Sequence, residues 1–352
     1  MRVVVLDYAA SSGGALSILK DFYSYLVEKR DNNDWFFLVS EDGLSDTENI
    51  HILIKPKKNW IDRMKYELWD GRKDIVKLQP DIVLSLQNTM PRGISAKKYL
   101  YIHQTIPFQK EKKFSFFRKN ERIYAIYQYL IGTMIKESAK RADKIFVQTE
   151  WLRGELWKIC GKNKLIEICT PTIEKIQFER GVFSNKYFIY PAAPIIYKNH
   201  KIIYEACQIL RERGITDFRV EFTCTGENVL NIYYIGSIDR KELFKKYTEG
   251  TLLFPSYIES YGYPLAEARM QNTIVLAADC GFSHEVLYGY ENAYFFPYNE
   301  AQKLADLMQD VIEGRIYPQK TVTDKKQDEQ NWERILVELK REDSKNEGII
   351  HN

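Results

Sequence analysis

The sequence predicts an α/β protein of two doubly wound, Rossmann-like domains facing each other across a cleft. Three observations lead there. The chain has 352 residues, enough for two cores. Short β-branched or aromatic runs recur between amphipathic stretches, the alternation of a parallel sheet covered by helices. That alternation breaks at a polar stretch and then starts again.

The first array comprises "VVVL" (3–6), "FFLV" (36–39), "IVLSL" (82–86), "YLYI" (99–102) and "IFVQ" (145–148). After its first run, "DYAASSGGALSILKDFYSYL" sets Gly13 and Gly14 at the start of a helix whose apolar Leu16, Leu19, Tyr23 and Leu26 share one face. A glycine pair there lets backbone approach a ligand at a helix N-terminus, and a plain tight turn fits it equally well. G-x-G-x-x-G is absent, which removes the best support for a nicotinamide dehydrogenase. Residues 1–170 form the first expected domain. "TPTIEKIQFERGVFSNK" (170–186), polar and broken by Pro171 and Gly181, reads as a linker over 171–186. The second array is "YFIY" (187–190), "RVEFT" (219–223), "IYYI" (232–235), "LLF" (252–254), "IVLA" (274–277) and "AYFF" (293–296), giving a domain over 187–318. "PQKTVTDKKQDEQ" (318–330) is a polar spacer and "NWERILVELKRE" a helix, with 319–352 expected to pack back toward the first domain.

A formal net charge of +3, with 45% hydrophobic and 28% charged residues, excludes a nucleic-acid binder or a disordered chain on bulk grounds and suits a soluble globular protein. No run approaches eighteen apolar residues, and no secretory signal is expected at Met1. Cysteines at 160, 169, 207, 224 and 280 are odd in number and hold no C-x-x-C pair, so a reducing cytoplasm is expected, without disulfides or zinc. His51, His200, His284 and His351 lack metal-ligand spacing.

The stretch "PSYIESYGYPLAEA" (255–268) carries the chemistry. Pro264 suits the first turn of a helix, where its missing amide proton is no loss. Gly262 opens space beside that helix start, so amides around Ser260, Tyr261, Gly262 and Tyr263 make a phosphate seat. A carboxylate on each side suits a diphosphate with hydroxyls on both flanks, which is a nucleotide sugar. Glu267 is assigned to the ribose diol and Glu259 to the hydroxyls of the transferred sugar.

With "TIVLAADCGFSHEVL" (273–287) behind it, this stretch resembles the E-x7-E region of glycosyltransferase family 4, retaining enzymes of the GT-B fold. The resemblance covers the whole chain in layout and the second half in motifs. It implies that Lys198, in "YKNHK", holds the donor diphosphate. The arginine usual before it is missing, its place falling near Ala192, and Lys201 reads as a solvated helix residue. It further implies that His103, directly after "YLYI", lies near the reacting sugar, that Gly13 and Gly14 face the diphosphate across the cleft, and that "TCTGE" (223–227) and "YYIGSIDRKEL" (233–243) line the base pocket. Glu259, His103 and Lys198 are thus the expected catalytic set. The donor-binding set is Gly13, Gly14, Lys198, Glu259, Ser260, Tyr261, Gly262, Tyr263 and Glu267. Neither metal nor cofactor is expected.

The implied reaction transfers a sugar, with retention, to a glycan or lipid-linked acceptor, in surface polysaccharide synthesis of the O-antigen or capsule type. "FQKEKKFSFFRKNERIYAIYQYLIG" (108–132) interleaves Lys110, Lys112, Lys113, Arg118 and Lys119 with Phe114, Phe116 and Phe117, which suits peripheral contact with an anionic membrane at the inner face of the plasma membrane. A nucleotide-sugar epimerase of the same fold, and an inactive nucleotide-sugar-binding partner protein, are the alternatives.

Overall fold

The computed structural model describes the chain apart from residues 12, 58, 174, 175, 177, 179, 180, 320–331 and 351–352, and apart from the side chains of 60 and 345–350. It divides into two compact units, Met1–Thr172 with Gln327–Asn352, and Ile173–Lys326.

Unit 1 carries the strands Arg2–Asp7 (β1), Asp34–Val39 (β2), Ile50–Ile54 (β3), Ile82–Ser85 (β4), Lys97–Ile102 (β5), Lys144–Val147 (β6) and Ile166–Ile168 (β7). They form one sheet in the order β3-β2-β1-β4-β5-β6-β7, and every pairing is parallel. Val3, Val4, Val5 and Leu6 are all fully buried, so β1 has no polar face and reads as an unbroken apolar run. The two strands absent from the expected set, β3 and β7, are the edges of this sheet. An edge strand is covered on fewer sides; β3 has one fully buried residue and β7 spans only three residues.

The C-terminal helix Glu333–Ile350 belongs to unit 1. Trp332, Ile335, Leu336 and Leu339 enter the core that holds Phe22, Trp35 and Tyr101. Trp332 packs 5.1 Å from the Phe22 ring and 5.1 Å from the Tyr101 ring, and its indole donates to Asp21 Oδ2 at 2.7 Å. A buried indole needs such an acceptor. From residue 320 on, the expected polar spacer lies outside the described residues.

Unit 2 carries Tyr187–Tyr190 (β8), Arg219–Phe222 (β9), Ile232–Tyr234 (β10), Thr251–Phe254 (β11), Ile274–Ala278 (β12) and Ala293–Phe296 (β13). The order is β10-β9-β8-β11-β12-β13, again parallel throughout. Described residues of the expected linker are bonded into this unit: the Phe178 amide donates to Gln271 Oε1 at 3.2 Å and the Ser184 amide to Glu249 O at 2.8 Å. In each sheet the strand order therefore reverses once, between β1 and β4 and between β8 and β11, while the strands stay parallel. In open α/β sheets, ligands bind outside the carboxyl ends of the strands at such a reversal.

In the segment 108–132, Phe114 is buried, packing against Tyr124 at 5.2 Å, whereas Phe117 is 93% exposed and Phe116 stands partly out. This corrects the expectation that all three rings are free for an interface. Lys112 and Arg118 are ion-paired to the buried Glu121 at 3.0 and 3.3 Å. Among the described residues no helix is long and apolar enough to cross a membrane.

Candidate functional site

In unit 2 the loops leaving β8 and β11 are bonded together at the sheet reversal. After β8 the chain makes a short 3-10 turn, Ile196–Lys198, and Asn199 adopts a left-handed conformation (φ 58°) before the helix His200–Glu212. Asn199 Nδ2 donates to Tyr298 O at 2.7 Å and to Pro255 O at 3.4 Å. The buried Tyr190 hydroxyl donates to Lys198 O at 2.5 Å, and the Tyr257 amide donates to Tyr197 O at 3.1 Å. These bonds fix where the Lys198 stem begins.

Lys198 Nζ meets Glu259 Oε1 in an ion pair, both side chains being mostly buried. Ser256 Oγ donates to the same carboxylate oxygen at 2.6 Å. The sequence assigned Lys198 to phosphate and Glu259 to a sugar; the fold brings the two side chains together from 61 positions apart. A cation beside an acceptor of hydroxyl hydrogens is the arrangement a phosphosugar junction needs.

The helix Tyr263–Met270 starts at Gly262, with Pro264 in its first turn and no side chain capping it. Gly262 has φ +86°, a conformation that disfavours any Cβ. The space argument for this glycine is corrected: a Cβ would point inward, 3.2 Å from Leu265 Cδ1 and 3.6 Å from Phe254 Cζ. Ser260 and Tyr263 are partly exposed at the mouth of the loop, and Tyr261 is buried against Tyr263, ring centroids 6.0 Å apart.

Glu267 is buried on the inner side of that helix. Its Oε1 accepts from Arg240 Nη2 at 2.8 Å and its Oε2 from the Tyr247 hydroxyl at 3.3 Å. Burial and the neighbouring Glu267 raise the Tyr247 phenol well above its ordinary pKa, so it stays a donor. The sequence reading assigned roles to neither Arg240 nor Ser256. Arg240 does lie in the stretch 233–243 read as a base pocket. Ala192, in the place of the missing arginine, is buried. Lys201 is exposed and paired with Glu205 at 3.1 Å, a solvated helix residue.

The remaining expected residues lie in unit 1. Gly13 (φ +61°) and Gly14 open the helix Gly13–Lys29 with no atom within 4 Å of a Cβ at either position. His103 follows β5. Asn88 Oδ1 accepts from the His103 and Gln104 amides at 2.7 and 2.8 Å, leaving its amide nitrogen 3.0 Å from His103 Nε2. Burial lowers the imidazole pKa from 6.5 to about 4, against the Leu86 carbonyl and with the help of Arg63, so the ring is neutral at pH 7. It can orient a hydroxyl but supplies no positive charge. Among the described residues no three His, Cys, Asp or Glu side chains come together as a metal ligand set.

Residues 172–328 match the family model described as glycosyl transferases group 1. No curated protein matches the chain in sequence. Among solved structures, sucrose-phosphate synthase from Thermosynechococcus elongatus is similar over 99% of both chains at 12% identity and a TM-score of 0.69. Anabaena HepE in complex with UDP is similar over 90% of this chain and 91% of its own, at 13% identity and a TM-score of 0.63. WaaG, a glycosyltransferase involved in lipopolysaccharide biosynthesis, is similar over 88% and 90%, at 14% identity and a TM-score of 0.62. The chain thus has the two parallel α/β sheets of the GT-B fold, and its second unit carries the group 1 glycosyltransferase signature.

Proposed function

We propose that this protein is a retaining glycosyltransferase of family 4 that moves a sugar from a nucleotide-diphosphate sugar to a glycan or lipid-linked acceptor in surface polysaccharide synthesis. The observation that carries the reading is the Lys198–Glu259 pair at the reversal of the second sheet, beside the uncapped start of the helix Tyr263–Met270. Solved complexes of HepE with UDP and with UDP-glucose support the class of donor. Lys198 and the amides beyond Gly262 stabilise charge on the departing diphosphate. Glu259, held by Ser256, accepts from the sugar hydroxyls. Glu267, oriented by Arg240 and Tyr247, is assigned to the hydroxyls of the ribose diol. The neutral His103 is assigned to a hydroxyl of the reacting sugar. The exposed Phe116 and Phe117, among the lysines of 108–132, are assigned to an anionic membrane surface where a lipid-linked acceptor resides.

The test is nucleotide release from UDP-, GDP- and dTDP-sugars, with the product's anomeric configuration read by NMR. Glu259→Ala is expected to spare nucleotide binding and lower turnover about 100-fold or more, the scale of a lost transition-state partner. Glu267→Ala is expected to weaken binding of the free nucleotide. Equal behaviour of the two variants, or inversion at the anomeric carbon, overturns the assignment.

A further inference from the structure

Gln87, two residues beyond β4, is 2% exposed and joins two strand exits at the reversal between β1 and β4. Its Oε1 accepts from the amide of Ala9, in the loop that leaves β1, at 3.1 Å. A backbone amide only donates, so the side-chain oxygen of Gln87 must face Ala9 and its nitrogen must face away. That nitrogen donates to Glu67 Oε2 at 3.0 Å. An acceptor behind Gln87 thereby sets which way its amide points.

Glu67 is buried in a wide turn, Tyr66–Asp70, set between the helical stretches Trp60–Lys65 and Gly71–Lys77. Such π turns are rare and recur at functional sites. Gly71 accommodates this one, since a Cβ there would meet Tyr66 O at 2.8 Å. The turn reaches the β1 loop twice: Glu67 acts through Gln87, and the Tyr66 ring stacks on Tyr8 with centroids 4.0 Å apart. Lys57 Nζ holds the same loop from its carbonyl side, donating to Tyr8 O at 3.2 Å and Ala9 O at 3.0 Å. Burial raises the Glu67 carboxyl above its ordinary 4.5, with Thr89, Arg63 and Arg141 opposing the rise. In either protonation state one oxygen can accept from Gln87. An apolar side chain would avoid the cost of burying a carboxyl, but it could not orient the Gln87 amide.

The loop held in this way leads to Gly13 and Gly14 and borders a cavity of about 550 Å³, whose wall includes Asp7, Ala9, Gln87, Asn88 and His103. We propose that Glu67 is a positioning residue: through Gln87 it fixes the Ala9 amide, and with it the loop leading to the glycine pair, in the conformation that turnover requires. That this turnover is sugar transfer rests on the glycosyltransferase reading above.

Two readouts on the full chain test it: hydrogen exchange of the backbone amides in 8–11, followed by mass spectrometry, and kcat for nucleotide release from the sugar donors. Glu67→Ala and Gln87→Ala are each expected to speed that exchange about fivefold, the scale of one lost hydrogen bond. Each is expected to lower kcat about tenfold or more, the scale of a misplaced group, and to leave affinity for the nucleoside monophosphate unchanged. Gln87→Ala carries the test should Glu67→Ala not fold. Gln87→Glu sets two carboxyl groups against each other and is expected to impair turnover further. Adding Glu67→Gln to it restores a donor facing an acceptor, and the exchanged pair is expected to recover kcat to within about threefold of the wild type. An exchanged pair as impaired as Gln87→Glu alone overturns the inference, as does an equal loss of monophosphate affinity in the alanine variants. Wild-type donor turnover, with exchange and kcat both unchanged in the alanine variants, sinks the positioning role and leaves the transferase. Faster exchange in variants of a protein that turns over no donor supports the role of Glu67 and sinks the transferase reading.

Discussion

Asp7 and two histidines answer burial with opposite signs. Burial raises the Asp7 carboxyl from an ordinary 3.8 to about 7, against the Ala10 amide, Arg63 and Lys57. The folded chain then holds a proton that the unfolded chain releases, so this group's contribution to stability is complete below pH 3.8 and is lost as pH rises through about 7. Burial lowers His103 and His200 from 6.5 to about 4, so their contribution is complete above pH 6.5 and is lost as pH falls through about 4. Asp7→Asn is therefore expected to gain stability relative to the wild type between pH 4 and pH 8, by a few kcal/mol at about 1.4 kcal/mol per unit. Urea midpoints across that range check it, and a constant difference between the two proteins refutes it. Gly262→Ala is expected to cost about 1–2 kcal/mol for its left-handed backbone alone, and more because its Cβ presses on Leu265. Its thermal midpoint and nucleotide affinity should fall together, since the residue sets the helix start. Glu259 and Glu267 were legible because they share one short stretch, which also holds Ser256; Lys198 and Arg240 meet them only through the tertiary fold, from 61 and 27 positions away.

Among the elements, the central strands of the first sheet announced themselves and its two edges did not, whereas both edges of the second sheet, β10 and β13, were legible. A strand such as β1, buried on both faces over Val3–Leu6, is apolar along that run, and the pattern needs no neighbours to be recognised. β3 and β7 border the sheet, and their residues are covered by whatever packs on that side, a tertiary matter. The C-terminal helix was legible as a helix, while its anchorage depends on Trp332, fully buried beside Phe22 and Tyr101. Trp332→Ala is expected to destabilise unit 1 by about 3–5 kcal/mol through lost contact and the cavity left behind. Denaturant unfolding followed by circular dichroism measures it. A loss below about 1 kcal/mol would mean that the helix is an ornament to unit 1 and not part of its core.

For the whole molecule, the donor residues Lys198, Glu259 and Glu267 all belong to unit 2, whereas Asp7 and His103 belong to unit 1. A nucleotide that binds as proposed stabilises unit 2 by mass action, about 2.7 kcal/mol at 100 times its dissociation constant. Calorimetry with the matching nucleotide should raise the transition assigned to unit 2, and Glu267→Ala should abolish the rise; a rise that persists in that variant removes Glu267 from the site. The alternation of apolar runs sufficed to give two parallel-sheet units and the stretch 255–268, because periodicity and turn chemistry are local properties of the chain. Which side chains share a site depended on strand order. The reversals between β1 and β4 and between β8 and β11 bring together loops tens of residues apart, and burial there, not residue type, sets the charge state of Asp7 and His103.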